Sequence, residues 1–253
     1  MSNILIKPTP NFVKRLNPKT YNLQVAELFS DTIQGEGVTM GTPATFLRLK
    51  NCTLNCVYCD SKSIWKFGNP YSIGKILNLW RINGIIEKFK NGQSLILTGG
   101  SPLFQQRSLI ELIKLFIEKF DFKPFIEIEN ECTLLPDEEL IEYIDVWNNS
   151  PKLNSSFISF KARYKPEVLE KLSTLKNSWF KFVVSNEDEW DEIEINYLNP
   201  KLIKKSQIIL MPEGETREAL NKSRNIAAEM AIKNNVRYCD RLQIILYDNK
   251  KSV

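Results

Sequence analysis

Ala44-Thr45-Phe46-Leu47-Arg48-Leu49-Lys50-Asn51-Cys52-Thr53-Leu54-Asn55-Cys56-Val57-Tyr58-Cys59 reads as a strand, Ala44–Lys50, that runs into a loop carrying three cysteines. Three thiolates at C-x3-C-x2-C spacing can converge on one metal centre only if the backbone curls around it. A four-iron cluster held by Cys52, Cys56 and Cys59 would keep its fourth iron open to a small molecule. A zinc site would need a fourth ligand. The chain contains no histidine, and its other two cysteines, Cys132 and Cys239, lie in no paired C-x2-C arrangement. Three buried structural cysteines are the remaining reading.

Working outward, short apolar runs alternate with amphipathic stretches. The expected strands are Gln24–Phe29, Ala44–Lys50, Ser94–Thr98, Pro124–Glu129, Tyr143–Trp147, Trp179–Val184, Gln207–Met211 and Arg241–Leu246. Helical patterns cover Ser72–Lys90, Gln105–Phe120, Asp137–Tyr143, Lys165–Lys176, Asp188–Tyr197 and Thr216–Asn234. This alternation implies right-handed βαβ units around a parallel sheet. Polar and glycine residues gather just after the strands: the cysteine loop, Gly99-Gly100-Ser101-Pro102, Glu129-Asn130, Ser150-Pro151-Lys152, Ser185-Asn186 and Pro212-Glu213-Gly214. In parallel α/β folds that carboxyl edge is where active sites sit. The expectation is one domain spanning 1–253, a partial or complete α/β barrel with short extensions at both ends.

Composition narrows the chemistry. The lack of histidine removes Ser-His-Asp and Cys-His catalysis, so the chain must work with carboxylates, Lys, Arg, thiolates or a cofactor. Five cysteines, three of them within eight residues, argue for metal binding rather than a disulfide framework. The net charge of +4 is spread along the chain without a basic block, which gives no support for a nucleic-acid partner. No apolar run approaches the roughly 18 residues that span a bilayer, and the N-terminus lacks a signal-peptide core. These features point to a cytoplasmic protein without a membrane partner.

With Tyr58 ahead of the third cysteine, the triplet resembles the cluster motif of radical S-adenosylmethionine (SAM) enzymes. Thr98-Gly99-Gly100-Ser101-Pro102 stands one βα unit later, where that superfamily places a glycine pair; its usual Glu is Ser101 here. Thr32-Ile33-Gln34-Gly35-Glu36-Gly37, Cys59-Asp60-Ser61 with Trp65, Ile128-Glu129, Ser150-Pro151-Lys152, Leu210-Met211-Pro212-Glu213-Gly214 and the tail through Tyr247 to Val253 resemble the 7-carboxy-7-deazaguanine synthases. The resemblance runs over nearly the whole chain and implies a partial α/β barrel of the radical SAM type.

It further implies ring contraction of 6-carboxy-5,6,7,8-tetrahydropterin to 7-carboxy-7-deazaguanine with release of ammonia, with SAM regenerated as a cofactor. Cys52, Cys56 and Cys59 would hold the [4Fe–4S] cluster. Val57, Tyr58, Cys59, Gly99, Gly100, Glu129, Ser150, Pro151, Lys152, Leu210, Met211, Pro212 and Glu213 would contact SAM. Ile33, Gln34, Gly35, Arg48, Thr98 and the carboxylate of Val253 would contact the pterin, and Ser61 would ligate Mg2+. An external electron donor such as flavodoxin or ferredoxin is implied, and the family is often dimeric. Two other readings share the cysteine triplet: a glycyl-radical activating enzyme, and a non-catalytic metal-binding interaction module.

Overall fold

The computed structural model describes residues 2–9 and 22–253; part of the expected N-terminal extension, residues 10–21, lies outside them. Among the described residues ten strands form one sheet: β1 (Asn3–Ile6), β2 (Asn22–Ile33), β3 (Pro43–Leu49), β4 (Asn69–Ser72), β5 (Ser94–Gly99), β6 (Ile126–Asn130), β7 (Val146–Asn149), β8 (Ser178–Val184), β9 (Ile208–Pro212) and β10 (Arg237–Tyr238). Their order is β1-β2-β3-β5-β6-β7-β8-β9-β10, with β4 paired to β2. From β3 to β10 every neighbouring pair in that order is parallel. β1 and β10 stand at opposite ends of the order, so the barrel is open, the partial α/β barrel that the sequence implies.

The parallel strands were legible because both faces are covered. Ser94–Gly99 and Ile208–Pro212 are buried almost throughout and therefore read as near-continuous apolar runs. One face, through Leu47, Leu97, Ile128, Trp147, Phe182 and Leu210, packs on helices such as Gln106–Phe120 and Arg217–Lys233 in the main core. Because side chains alternate along a strand, the intervening residues point into the barrel.

Several expected elements take another form. Gln24–Phe29 belongs to a longer strand, Asn22–Ile33, that is antiparallel to β3. The connection is a nine-residue loop closed by Gln34 N–H donating to Thr42 O (2.8 Å), too short for a parallel crossover. Ser72–Lys90 is two helices, Ile73–Ile82 and Ile85–Lys90, separated at Gly84, whose φ of +69° stops the first. Tyr143 closes the Glu138–Tyr143 helix, and the strand begins at Val146. Asp188–Tyr197 starts as an α-helix over Glu189–Ile193 and widens to a π turn over Glu194–Leu198. Arg241–Leu246 is not a strand: Leu242–Tyr247 is a helix whose Ile244 is buried.

Candidate active site

A cavity of about 250 Å³ opens at the carboxyl ends of the parallel strands. Cys52, Cys56 and Cys59 line one side. The loop that carries them is pinned where β3 meets β5. Gly100 N–H donates to Leu49 O (3.3 Å) and Ser101 N–H to Asn51 O (2.7 Å). A Cβ on Gly99 would fall 2.3 Å from Leu49 O, and one on Gly100 would fall 2.1 Å from Asn51 O. The glycine pair is thus required by the approach of two backbones, whatever ligand lies beyond it.

The sulfur environment suits metal ligation. Leu54 N–H donates to Cys52 Sγ (3.4 Å) and Trp65 Nε1–H to Cys59 Sγ (3.3 Å). Burial, reinforced by the nearby Glu131 charge, pushes the Cys52 thiol up to about 12, and burial raises Cys56 as well. Bound iron would displace those protons. Among the described residues no three Cys, Asp or Glu side chains close around a single ion. A four-iron cube takes one sulfur per iron and so accommodates donors spread further apart. Ser61 lines the same wall, its Oγ 3.7 Å from Cys59 Sγ.

Strand β6 supplies the floor. Period-two alternation turns Glu127, Glu129 and Glu131 to the cavity side while Ile126 and Ile128 face the core. Gln34 Nε2 bridges Glu127 (2.7 Å) and Glu129 (3.1 Å), and Thr98 donates to Glu129 (2.7 Å). Burial, then the adjacent Glu129 charge, pushes Glu127 up to about 7, against hydrogen bonds from Thr39, Asn148 and Gln34. It can hold or release a proton at neutral pH.

Arg48 lines the cavity with its Nε fixed on Glu27, 3.0 Å away and fully buried. Ser252 also donates to Glu27, which brings the C-terminal residues 250–253 onto the cavity wall. Opposite them, Glu36 accepts from Lys181, Arg241 and Gln243, and Arg241 also binds Asp60 beside the cysteine loop. Burial alone would raise the Glu36 carboxyl; the Lys181 and Arg241 charges more than reverse this and hold it well below the usual carboxylate range. Gly35 lets this layer close, because a Cβ there would fall 1.9 Å from Gln243 Oε1.

Most sequence-nominated residues meet here. Ile33, Gln34, Gly35, Arg48, Thr98 and Val253 line the cavity, as do Tyr58, Gly99, Gly100, Glu129, Ser150, Lys152 and Met211. Part of the Ile33–Gly35 backbone is already engaged: Gln34 bonds across its loop, and Gly35 O accepts from Leu242 N–H (2.9 Å). Val57 and Glu213 line an adjoining pocket that shares Tyr58 and Val183 and includes the exposed ring of Phe157. The Leu210 side chain packs in the main core, and Pro151 and Pro212 are buried. Glu27, Glu36, Asp60, Glu127, Glu131, Asn148, Phe157, Lys181, Arg241 and Gln243 were not nominated. The alternation around Glu129 signalled Glu127 and Glu131; the ion pairs join residues too far apart in sequence for any local pattern.

Comparison with known proteins agrees with this geometry. Residues 33–150 match the family model of a 4Fe-4S single cluster domain. A 7-carboxy-7-deazaguanine synthase of Buchnera aphidicola is 31% identical over 214 residues, covering 78% of this chain and 87% of that one. The chain belongs to the 7-carboxy-7-deazaguanine synthase family. Another member, from Pyrobaculum aerophilum, is 29% identical over 235 residues and covers 92% of this chain and 98% of its own. The crystal structure of QueE from Escherichia coli shares the fold, with a TM-score of 0.61 at 21% identity over 87% of this chain and 94% of that one. The protein is therefore a radical SAM enzyme of 7-deazapurine biosynthesis, with a [4Fe–4S] cluster and SAM as cofactors and a small-molecule substrate. No helix among the described residues is long and apolar enough to cross a membrane.

Proposed function

We propose that this enzyme contracts the ring of 6-carboxy-5,6,7,8-tetrahydropterin, giving 7-carboxy-7-deazaguanine and ammonia. One observation carries the reading: a single cavity joins three cysteines on one side to Arg48, Thr98, Gln34 and the chain's own C-terminus on the other. When bound at Cys52, Cys56 and Cys59, the cluster with SAM on its open iron supplies hydrogen-atom abstraction.

The remaining work belongs to side chains. Arg48, oriented by Glu27, offers its guanidinium to the substrate carboxylate. Ile33, Gln34 and Gly35, with Thr98 and the Val253 carboxylate, frame the pterin's polar edge. Glu127, fully buried behind the Gln34 amide, holds an exchangeable proton one hydrogen bond back from the cavity wall. Val57, Tyr58, Cys59, Gly99, Gly100, Glu129, Ser150, Pro151, Lys152, Leu210, Met211, Pro212 and Glu213 form the SAM side. The two proline peptides and Leu210 act through backbone, since their side chains are buried. Ser61 provides an oxygen to Mg2+, a hard cation that would take its other ligands from substrate and water. A flavodoxin or ferredoxin delivers the electron, and the enzyme works in the cytoplasm as a homodimer.

The test is anaerobic turnover of 6-carboxytetrahydropterin with SAM and reductant, with the product identified by mass spectrometry. Intact cluster and bound SAM without 7-carboxy-7-deazaguanine would overturn the substrate assignment.

A further inference from the structure

Lys250, Lys251, Ser252 and Val253 reach the cavity wall, although the helix before them, Leu242–Tyr247, is short and buries Ile244 alone. Leu246 and Tyr247 at its end are exposed, so apolar packing does not decide where the chain goes next. Polar contacts do. Arg217, the first residue of the helix Arg217–Lys233, donates from Nε to Ile245 O (2.9 Å) and from Nη2 to Leu246 O (2.8 Å). The last carbonyls of a helix lack an intrahelical donor, and a guanidinium fork can serve two of them at once. The backbone N–H of Arg217 also donates to Asp248 Oδ1 (2.8 Å), and Asp248 N–H donates to Ile244 O (2.8 Å).

Asp248 is where the chain turns towards the cavity. Its φ of +55° with ψ of −139° lies in a region that residues with a side chain rarely enter. Glycine would take this conformation without strain, but it would leave Arg217 N–H without that acceptor. The strain is therefore kept together with a carboxylate that ties the turn to a neighbouring helix. Beyond the turn, Ser252 donates to Glu27, the residue that also holds Arg48. The last residues are thus held from both ends, by Arg217 before the turn and by Glu27 after it.

We propose that Arg217 and Asp248 are positioning residues that aim the end of the chain into the cavity and so set the affinity for substrate. Neither lines the cavity, so both act through the tail. The inference deepens the proposed function, on which it rests for the contact between tail and substrate.

The experiment uses anaerobically reconstituted full-length enzyme, with iron content and the visible spectrum as integrity controls. KM and kcat for 6-carboxytetrahydropterin at saturating SAM, SAM affinity, and hydrogen exchange of the C-terminal peptide are measured in wild type, Arg217→Ala, Asp248→Gly and Asp248→Asn. Arg217→Ala and Asp248→Gly should each raise KM about tenfold, the value of one or two lost hydrogen bonds. Both should leave kcat and SAM affinity within about twofold, and exchange should quicken in the C-terminal peptide alone. Asp248→Asn keeps the acceptor oxygen and should restore the KM that glycine loses. Arg217→Lys, which keeps the charge without the fork, provides the same comparison should the alanine variant fail to load a cluster. An unchanged KM in a loaded Arg217 variant, or a C-terminal peptide that exchanges as in wild type, would overturn the proposal and leave the proposed function intact. Absence of turnover by the loaded wild type would overturn the proposed function, and the proposal with it.

Discussion

Trp65, the last residue of the short helix Lys62–Trp65, donates its indole N–H to the sulfur of Cys59, six positions earlier in the chain, at 3.3 Å. Trp65 is buried, so the bond is protected from water. A hydrogen bond to a ligating sulfur withdraws electron density and stabilises the reduced cluster. Trp65→Phe keeps the packing and removes the donor. The expected outcome is a lower midpoint potential with full iron content, measured by redox titration followed by EPR; an unchanged potential would mean that the ring only fills space.

Cys52→Ala, Cys56→Ala and Cys59→Ala should each abolish a stable four-iron cluster and turnover. Cys132→Ala and Cys239→Ala should leave iron content unchanged, because both thiols are buried and neither lines the cavity. Iron and sulfide assays per chain decide this, and loss of iron in the Cys132 or Cys239 variant would remove the open-iron arrangement.

Arg48 serves two partners, and the two can be separated. Arg48→Ala strands Glu27, which is fully buried, and should cost about 3–5 kcal/mol of stability. It should also weaken substrate binding by roughly 2–4 kcal/mol while sparing SAM. Adding Glu27→Gln to Arg48→Ala should recover most of the stability without recovering the substrate. Denaturant unfolding and substrate titration of the single and double variants check both statements; recovery of substrate affinity in the double variant would show that Arg48 is structural only.

Ser61 offers a narrower test of the Mg2+ assignment. Ser61→Ala should raise the Mg2+ requirement or the KM for substrate and leave the iron–sulfur spectrum untouched, since Mg2+ needs only one protein oxygen when other ligands come from substrate and water. Steady-state turnover across a Mg2+ titration, starting from EDTA-treated enzyme, provides the measurement. Identical responses of wild type and variant would place the metal elsewhere.

The sequence revealed most where local pattern and tertiary environment coincide. Ser94–Gly99, Ser178–Val184 and Ile208–Pro212 are covered on both faces, so their apolar runs sufficed to mark them. The Leu242–Tyr247 helix failed that test, because a six-residue apolar run has no period long enough to separate helix from strand. Its placement comes from contacts distant in sequence: Arg241 and Gln243 both reach Glu36. The same limit hid the charge network over the cavity. The metal loop is marked by its spacing, whereas Lys181 on β8 reads as any strand lysine, and only the fold brings Glu36 beside it.

Glu127 makes the strongest pH statement. Its carboxyl moves from 4.5 to about 7 through burial first and the Glu129 charge second. The raised value means that the folded state binds a proton more tightly than the unfolded chain between those limits. Stability therefore falls as pH rises from about 4.5 through 7, and above 7 the folded state carries the full penalty. A difference of two to three pH units corresponds to roughly 3 kcal/mol, or about 6–12 °C in Tm for a chain of this size. Glu127→Gln mimics the protonated acid: its oxygen still accepts from Gln34 and Asn148, and its amide can donate to Thr39. The variant should match wild type in Tm near pH 4.5 and exceed it progressively up to pH 8. Differential scanning calorimetry of the two proteins across that range isolates the contribution, since every other titrating group is common to both. A constant offset with pH would show that Glu127 titrates like an ordinary carboxylate despite its burial.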